Sequence, residues 1–133
     1  MAAPPLTFSI SELAQEFALT TRAIRFYEDE GLLAPTRRGR TRVYGPRERT
    51  RLKLILRGKR LGLSLVEIRE ILDLYDTNTD EAPQLRKFLE TLANRRALLL
   101  QQREDIDVVL AEVDGLVRQT RRTLDRGRRG KPG

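Results

Sequence analysis

The first periodic stretch of the chain, SISELAQEF at 9–17, places Ile10, Leu13, Ala14 and Phe17 at helical spacing. Ser9 followed by Glu12 is a capping-box signature, and Phe8 with Leu13 fits a hydrophobic staple. ALTT breaks the period. Thr20 is then a good N-cap for a second helix that runs to about Glu30, with Gly31 in the C′ place that ends it. Two short helices joined by a tight turn predict a helix-turn-helix, and its second member carries Arg22 and Arg25. In LLAPTRRGRTRVYGP, Pro35 excludes helix, Gly39 supplies a turn, and Val43 and Tyr44 favour strand. That stretch predicts a two-stranded ribbon with Arg37, Arg38, Gly39 and Arg40 at its tip. Pro46 opens a third helix with Leu52, Ile55 and Leu56 on one face, a basic opposite face, and Gly62 as its stop. Ser64 and Glu67 form a second capping box, ahead of Leu65, Ile68, Ile71, Leu72 and Tyr75 facing a core.

The polar stretch DTNTDEAPQ predicts a linker. Its Asp76, Asn78, Asp80 spacing resembles the start of a calcium loop, but Glu81 stands at the turn-glycine position and Lys87 where the bidentate glutamate belongs, so no metal site is expected. From Leu85 to Leu124 there is no proline. Leu85, Leu92, Leu99, Ile106, Val113 and Thr120 recur every seven residues, and Leu89, Leu110, Val117 and Leu124 fill the positions four later. Forty residues of helix reach roughly 60 Å, more than the preceding domain can cover, so the stripe calls for a second chain. The plainer alternative is a helix lying on its own domain. Arg96 and Arg103 interrupt the seam: either they snorkel, or they trade stability for register or form an anion site across a dimer. The expected organisation is a DNA-binding domain at 8–76, a linker at 77–84, a coiled-coil dimerisation helix at 85–125 and a disordered basic tail at 126–133. The fold class is mainly α, a winged helix-turn-helix followed by a long coiled-coil helix.

Charge adds a partner to this outline. The formal net charge is +7, and between Arg37 and Arg60 eleven Lys or Arg stand against one acid, Glu48. A solvated face usually alternates in sign, whereas a one-sign stripe is the footprint of a polyanion. The chain has no cysteine and no histidine, which excludes disulfides, thiolate metal sites and imidazole catalysis. MAAPPLTF lacks the basic and apolar regions of a signal peptide, and no apolar run is long enough to span a bilayer, so a cytoplasmic location is expected.

Four segments, SISELAQEF, TTRAIRFYEDEGLLAP, RVY at 42–44 and RLGLSLVEIREIL at 60–72, resemble in order and spacing the MerR family of bacterial transcription regulators. The resemblance runs from about Phe8 to Leu74, and the long helix matches in kind. It implies that RAIRFYEDEGLL is a recognition helix lying in the major groove of double-stranded DNA. It makes Thr20, Thr21, Arg22 and Arg25 groove and phosphate contacts, with Tyr27 near the backbone and Phe26 in the core. The ribbon, through Arg37, Arg38, Arg40, Arg42 and Tyr44, and the third helix, through Lys59 and Arg60, are then clamps on flanking phosphates. A homodimer held by Leu85, Leu89, Leu92, Leu99, Ile106, Leu110, Val113 and Val117 is implied, its long helices antiparallel. So is action with RNA polymerase on a pseudo-palindromic promoter whose spacer is over-long, by distorting the duplex. The family often has Gly-Tyr before the ribbon arginine, where Arg40 and Thr41 stand here. Its metal-sensing branches carry cysteines at the ends of the long helix and its multidrug-sensing branches a large further domain; this chain has neither, so no cofactor is implied and an effector would be a small organic molecule or a partner protein. The run RVYGPRERTRLKLILRGKRLG is similar to the branch associated with branched-chain amino acid and acyl-CoA breakdown.

Two other functions compete with this one. A basic coiled-coil adaptor would bind protein and show no steep salt dependence. An enzyme would need clustered carboxylates or a buried lysine, and the acids here are scattered along helix faces.

Overall fold

Helix punctuation in the sequence translates directly into helix ends. The computed structural model describes residues 6–77 and 82–130. The Ser9 hydroxyl accepts from Glu12 N–H at 3.0 Å while the Glu12 carboxylate accepts from Ser9 N–H at 3.0 Å, and α1 runs Ile10–Glu16. Thr20 caps α2, Thr21–Asp29, by accepting from Ala23 N–H at 3.1 Å. The turn between them passes through Ala18 at φ 54, a left-handed conformation that L-residues other than glycine rarely adopt. The strands β1, Thr36–Arg38, and β2, Thr41–Val43, pair antiparallel with Thr36 opposite Val43, Arg37 opposite Arg42 and Arg38 opposite Thr41. Helix α3, Pro46–Leu61, starts on Pro46 and ends at Gly62, whose φ of 78 lets Leu63 N–H reach Gly58 O at 3.0 Å. Ser64 and Glu67 make the second capping box at the head of α4, Leu65–Thr77.

Helix α5 spans Ala82–Gly130. It begins three residues before the expected helix start at Leu85, and it continues as helix through 126–130, where a disordered tail was expected. Arg126, Arg128 and Arg129 lie near its C-terminus, where cations are favourable to the helix dipole and keep the last turns helical. Residues 78–81 of the expected linker and calcium-like spacing, and 131–133 of the expected tail, lie outside the described residues. None of the described helices is long and apolar enough to cross a membrane.

Two units divide the chain at Thr91 and Leu92. The first has one core, with Leu13, Ile24, Leu32, Tyr44, Leu52, Ile55, Ile68 and Leu72 fully buried. Helices α3 and α4 close tightly on each other: a Cβ on Gly58 would stand 2.5 Å from Ile68 Cγ1. Tyr75, expected to face the core, is exposed. One pairing has no local signal: Phe8 and Tyr44 exchange backbone hydrogen bonds at 2.8 and 2.9 Å, an isolated bridge that ties the segment before α1 to the residue after β2. In the second unit the apolar stripe of α5 is uncovered, with Leu99, Ile106, Leu110, Val113 and Val117 all exposed.

Several basic residues are structural. Arg49 bonds Glu16 through Nε at 2.9 and 3.0 Å and also through Nη2, and its guanidinium lies 5.7 Å from the Phe8 ring centroid and 6.0 Å from that of Phe17. Arg51 is buried, donating to Leu32 O at 2.8 Å and pairing with Asp76, which also takes Arg47 at 2.9 Å. Glu48, buried at the α3 start, accepts from Ala34 N–H at 2.9 Å.

Substituting Gly58 by alanine adds a methyl against a side chain with no free space, so the variant should lose about 1–2 kcal/mol of stability despite its better helix propensity. A thermal melt that rises instead would mean the α3–α4 contact is slack. The Arg49 guanidinium holds the Glu16 carboxyl below its ordinary value of 4.5. Burial pushes Asp76 up, but Arg51 and Arg47 outweigh it and leave the group below its ordinary 3.8. Both folded-state values are depressed, so their stabilising contribution is complete above the ordinary values and is lost as pH falls through the depressed ones. Melting temperature should therefore drop in acid below about pH 4.5, and Asp76→Asn should flatten part of that drop. An unchanged acid limb in that variant would put the acid sensitivity elsewhere.

Candidate nucleic-acid interface

Helix α2 is short, and its two faces do different things. Ile24 and Tyr27 point into the core, while Arg22, Arg25 and Phe26 are exposed. Thr21, Arg25 and Glu28 fall on one face, and Arg25 Nη2 donates to Thr21 Oγ1 at 3.3 Å. Thr20, first in the expected contact set, uses its oxygen to cap the helix.

The ribbon lies beside that face. Arg42 Nε donates to Glu28 Oε2 at 2.8 Å, and Arg37 Nη2 to Glu28 Oε1 at 3.4 Å. Arg38 and Arg40 are exposed at the hairpin tip around Gly39. The end of α3 also reaches α2, where Lys59 Nζ lies 5.7 Å from the Tyr27 ring centroid. Lys59 and Arg60 are exposed. The wing and the last turn of α3 therefore each contact α2 and place cations next to it.

Three aromatic expectations need correction. Tyr44 is fully buried and its hydroxyl has no hydrogen-bond partner among the described residues, so it is not a surface clamp. Burial, and then the Glu28 carboxylate, push its phenol above the ordinary value of 10.0. Tyr27 is 3% exposed and serves the core. Phe26, expected in the core, is 45% exposed and touches the Tyr27 ring at 5.7 Å between centroids. The physical reason is the phase of α2: the buried arc takes Ile24 and Tyr27, three residues apart, and Phe26 falls outside it.

The basic window is also less free than its charge implies. Arg47, Arg49 and Arg51 are paired with Glu48, Glu16 and Asp76. Two residues that residue type and order did not single out, Lys53 and Arg57, line a shallow groove with Phe17, Leu56 and Arg60. Their spacing of four on the polar face of α3, with Arg60 three further on, was the available signal. The expected seam residues Leu85 and Leu89 are exposed on the first turns of α5, and Leu92 is half-buried. Arg96 and Arg103 are exposed as well.

Comparison with known proteins agrees with this arrangement. Residues 8–74 match the model of the MerR helix-turn-helix family of regulatory proteins, and residues 49–116 match a second model described as MerR, DNA binding. The transcriptional regulator CueR of Salmonella typhimurium is 33% identical over 109 residues, covering 78% of this chain and 79% of that protein. The structure of a MerR-family regulator from Bacillus cereus superposes with a TM-score of 0.68 at 30% identity, over 87% of this chain and 84% of the other. A transcription regulator of Ralstonia metallidurans solved with lead(II) gives 0.63 at 26% identity, over 84% and 86% of the two chains. The fold is thus shared with regulators of known structure, and the chain belongs to the MerR family of DNA-binding transcription regulators, which are not enzymes.

Proposed function

We propose that this regulator works as a homodimer on a pseudo-palindromic promoter site in the cytoplasm, reading the major groove with Thr21, Arg22 and Arg25. The wing arginines Arg37, Arg38, Arg40 and Arg42 and the α3 residues Lys59 and Arg60 clamp the flanking phosphates. The observation that carries this reading is the placement of two separate cationic elements against α2, whose Arg22 and Arg25 are exposed. Arg forks suit both phosphate and guanine edges, and phosphate contacts fix register while base contacts specify. The uncovered stripe from Leu99 to Val117 supports dimerisation, since a face of that length needs an apolar partner. A dimer that grips both half-sites can bend or untwist the promoter for RNA polymerase at a cost of a few kcal/mol, about what many phosphate contacts offset. With no cysteine or histidine in the chain, a small organic molecule is the effector class that fits. The run at 42–62 supports the branch associated with branched-chain amino acid and acyl-CoA catabolism, and mapping bound sites across the genome tests that assignment through the neighbouring genes.

A salt titration of DNA binding tests the interface. A dimer with about six to ten phosphate contacts should lose roughly a thousandfold in affinity between 50 and 200 mM salt. Arg22→Ala should relax sequence discrimination by about 1–3 kcal/mol, whereas Arg38→Ala should weaken all sequences alike. A flat log–log plot for the unaltered protein would leave the adaptor reading standing. For the dimer, Leu99→Asp or Leu110→Asp places a charge in the proposed seam at a cost of several kcal/mol. Light scattering should then report monomers, with weaker operator binding because the half-sites are no longer held together. Dimers of normal affinity in both variants would put the seam elsewhere.

A further inference from the structure

The register of the wing sets Arg37 directly opposite Arg42, and like charges at that position push two strands apart. Glu28 is the counter-charge between them, and it comes from the recognition helix, not from the wing. Its two bonds are unequal. Arg42 is held through Nε at 2.8 Å and its side chain is 26% exposed; Arg37 is held at 3.4 Å through a terminal nitrogen and is 54% exposed. Using Nε leaves the four N–H groups on Nη1 and Nη2 of Arg42 as donors for a second planar or tetrahedral anion. Glu28 is itself only 17% exposed. Its neighbour Tyr27, one residue back on the helix, is anchored in the core, so the carboxylate projects from a fixed stretch of backbone.

We propose that Glu28 is a positioning residue for DNA binding. It holds Arg42 by Nε so that the wing and the recognition helix present their cations to the DNA backbone in one fixed relation. It keeps that bond in the complex, while the weaker Arg37 contact opens and Arg37 turns to a phosphate. This rests on the reading of Arg42 as a phosphate contact. The opposite role is a competitor, an internal phosphate mimic that DNA must displace. Net charge alone predicts that removing Glu28 from a chain of formal charge +7 tightens binding. A positioning role predicts that it weakens binding.

The experiment measures binding of the full-length protein to a mixed-sequence duplex of about 30 base pairs by anisotropy, as a function of salt, for Glu28→Ala, Glu28→Gln, Arg42→Gln and the Glu28→Ala/Arg42→Gln double variant. Arg42→Gln should lower the log–log slope by about 1 for each phosphate that the protein no longer neutralises. Glu28→Ala should lower it equally and weaken binding about tenfold or more at fixed salt, although the protein has become more basic. Glu28→Gln keeps an oxygen that accepts from Nε and should retain the full slope. The double variant should fall no further than Arg42→Gln alone, because Glu28 acts through Arg42. Three results would overturn the proposal: Glu28→Ala binding as tightly as the unaltered protein or tighter, Glu28→Ala binding more weakly with its slope intact, or Glu28→Gln behaving like Arg42→Gln. The last comparison decides the matter even if the alanine variant fails to fold. An Arg42→Gln variant with an unchanged slope locates the failure in the wing reading beneath the proposal.

Discussion

Repulsion among arginines is the constraint around which the N-terminal unit is built. A DNA-reading domain of this size has to concentrate cations on a small surface, and the same cations oppose folding. Here acids distant in sequence relieve it: Glu16 from α1 meets Arg49, Glu28 from α2 meets Arg37 and Arg42, and Asp76 from the end of α4 meets Arg47 and Arg51. Each pair ties together two elements that the backbone leaves independent. Exposed pairs contribute little one at a time. Arg51 is different, because it is buried and bonded both to Asp76 and to the Leu32 carbonyl, and removing the acid would leave a desolvated guanidinium short of a partner.

Local chemistry made much of the fold legible. Both capping boxes, the Thr20 cap, the Gly62 stop and the Arg37–Gly39–Arg40 hairpin appear where short-range rules place them. What escaped was set by tertiary phase. Nothing near Phe8 announces that it pairs with Tyr44, because the partners lie far apart in the sequence and meet only through the tertiary fold. The exchange of roles between Phe26 and Tyr27 has the same origin: both are aromatic, and only the rotation of α2 against the core decides which is covered. For the site, residue type and order carried the arginines of α2 and the wing. They could not separate Arg49 and Arg51, which face acids, from Arg38 and Arg40, which face solvent, since all four sit in one basic run.

The second unit poses the reverse problem, an excess of uncovered apolar surface. A helix draws most of its stability from packing an amphipathic face, and the stripe on α5 has no cover within its own unit. Pairing two such helices would supply that cover and would also couple two recognition helices. The geometry of such a pairing would then set the effective concentration of the second half-site. Arg96 and Arg103 fall in the heptad register of this face at positions where aliphatics would pack better.

Departures from local rules gather around α2, and this points to the site independently of any relative. Ala18, two residues before the α2 cap, takes a left-handed conformation that glycine would adopt more easily. Phe26 leaves nearly half its surface in water on the same helix. Arg37 and Arg42 face each other across the wing beside it, and the Tyr44 hydroxyl, whose phenol feels Glu28 and both of those arginines, is buried without a partner among the described residues. Each departure carries a cost that a domain selected for stability alone would shed by a single substitution. Elsewhere in the unit, at the α3–α4 contact and along the α4 cap, sequence and structure agree without such conflict. Consistency across levels is what specifies a fold, and its local failure is expected where a surface is shaped for something other than stability. Here that surface is the exposed face of α2 with its wing, where the domain keeps strain, an exposed ring and opposed charges side by side.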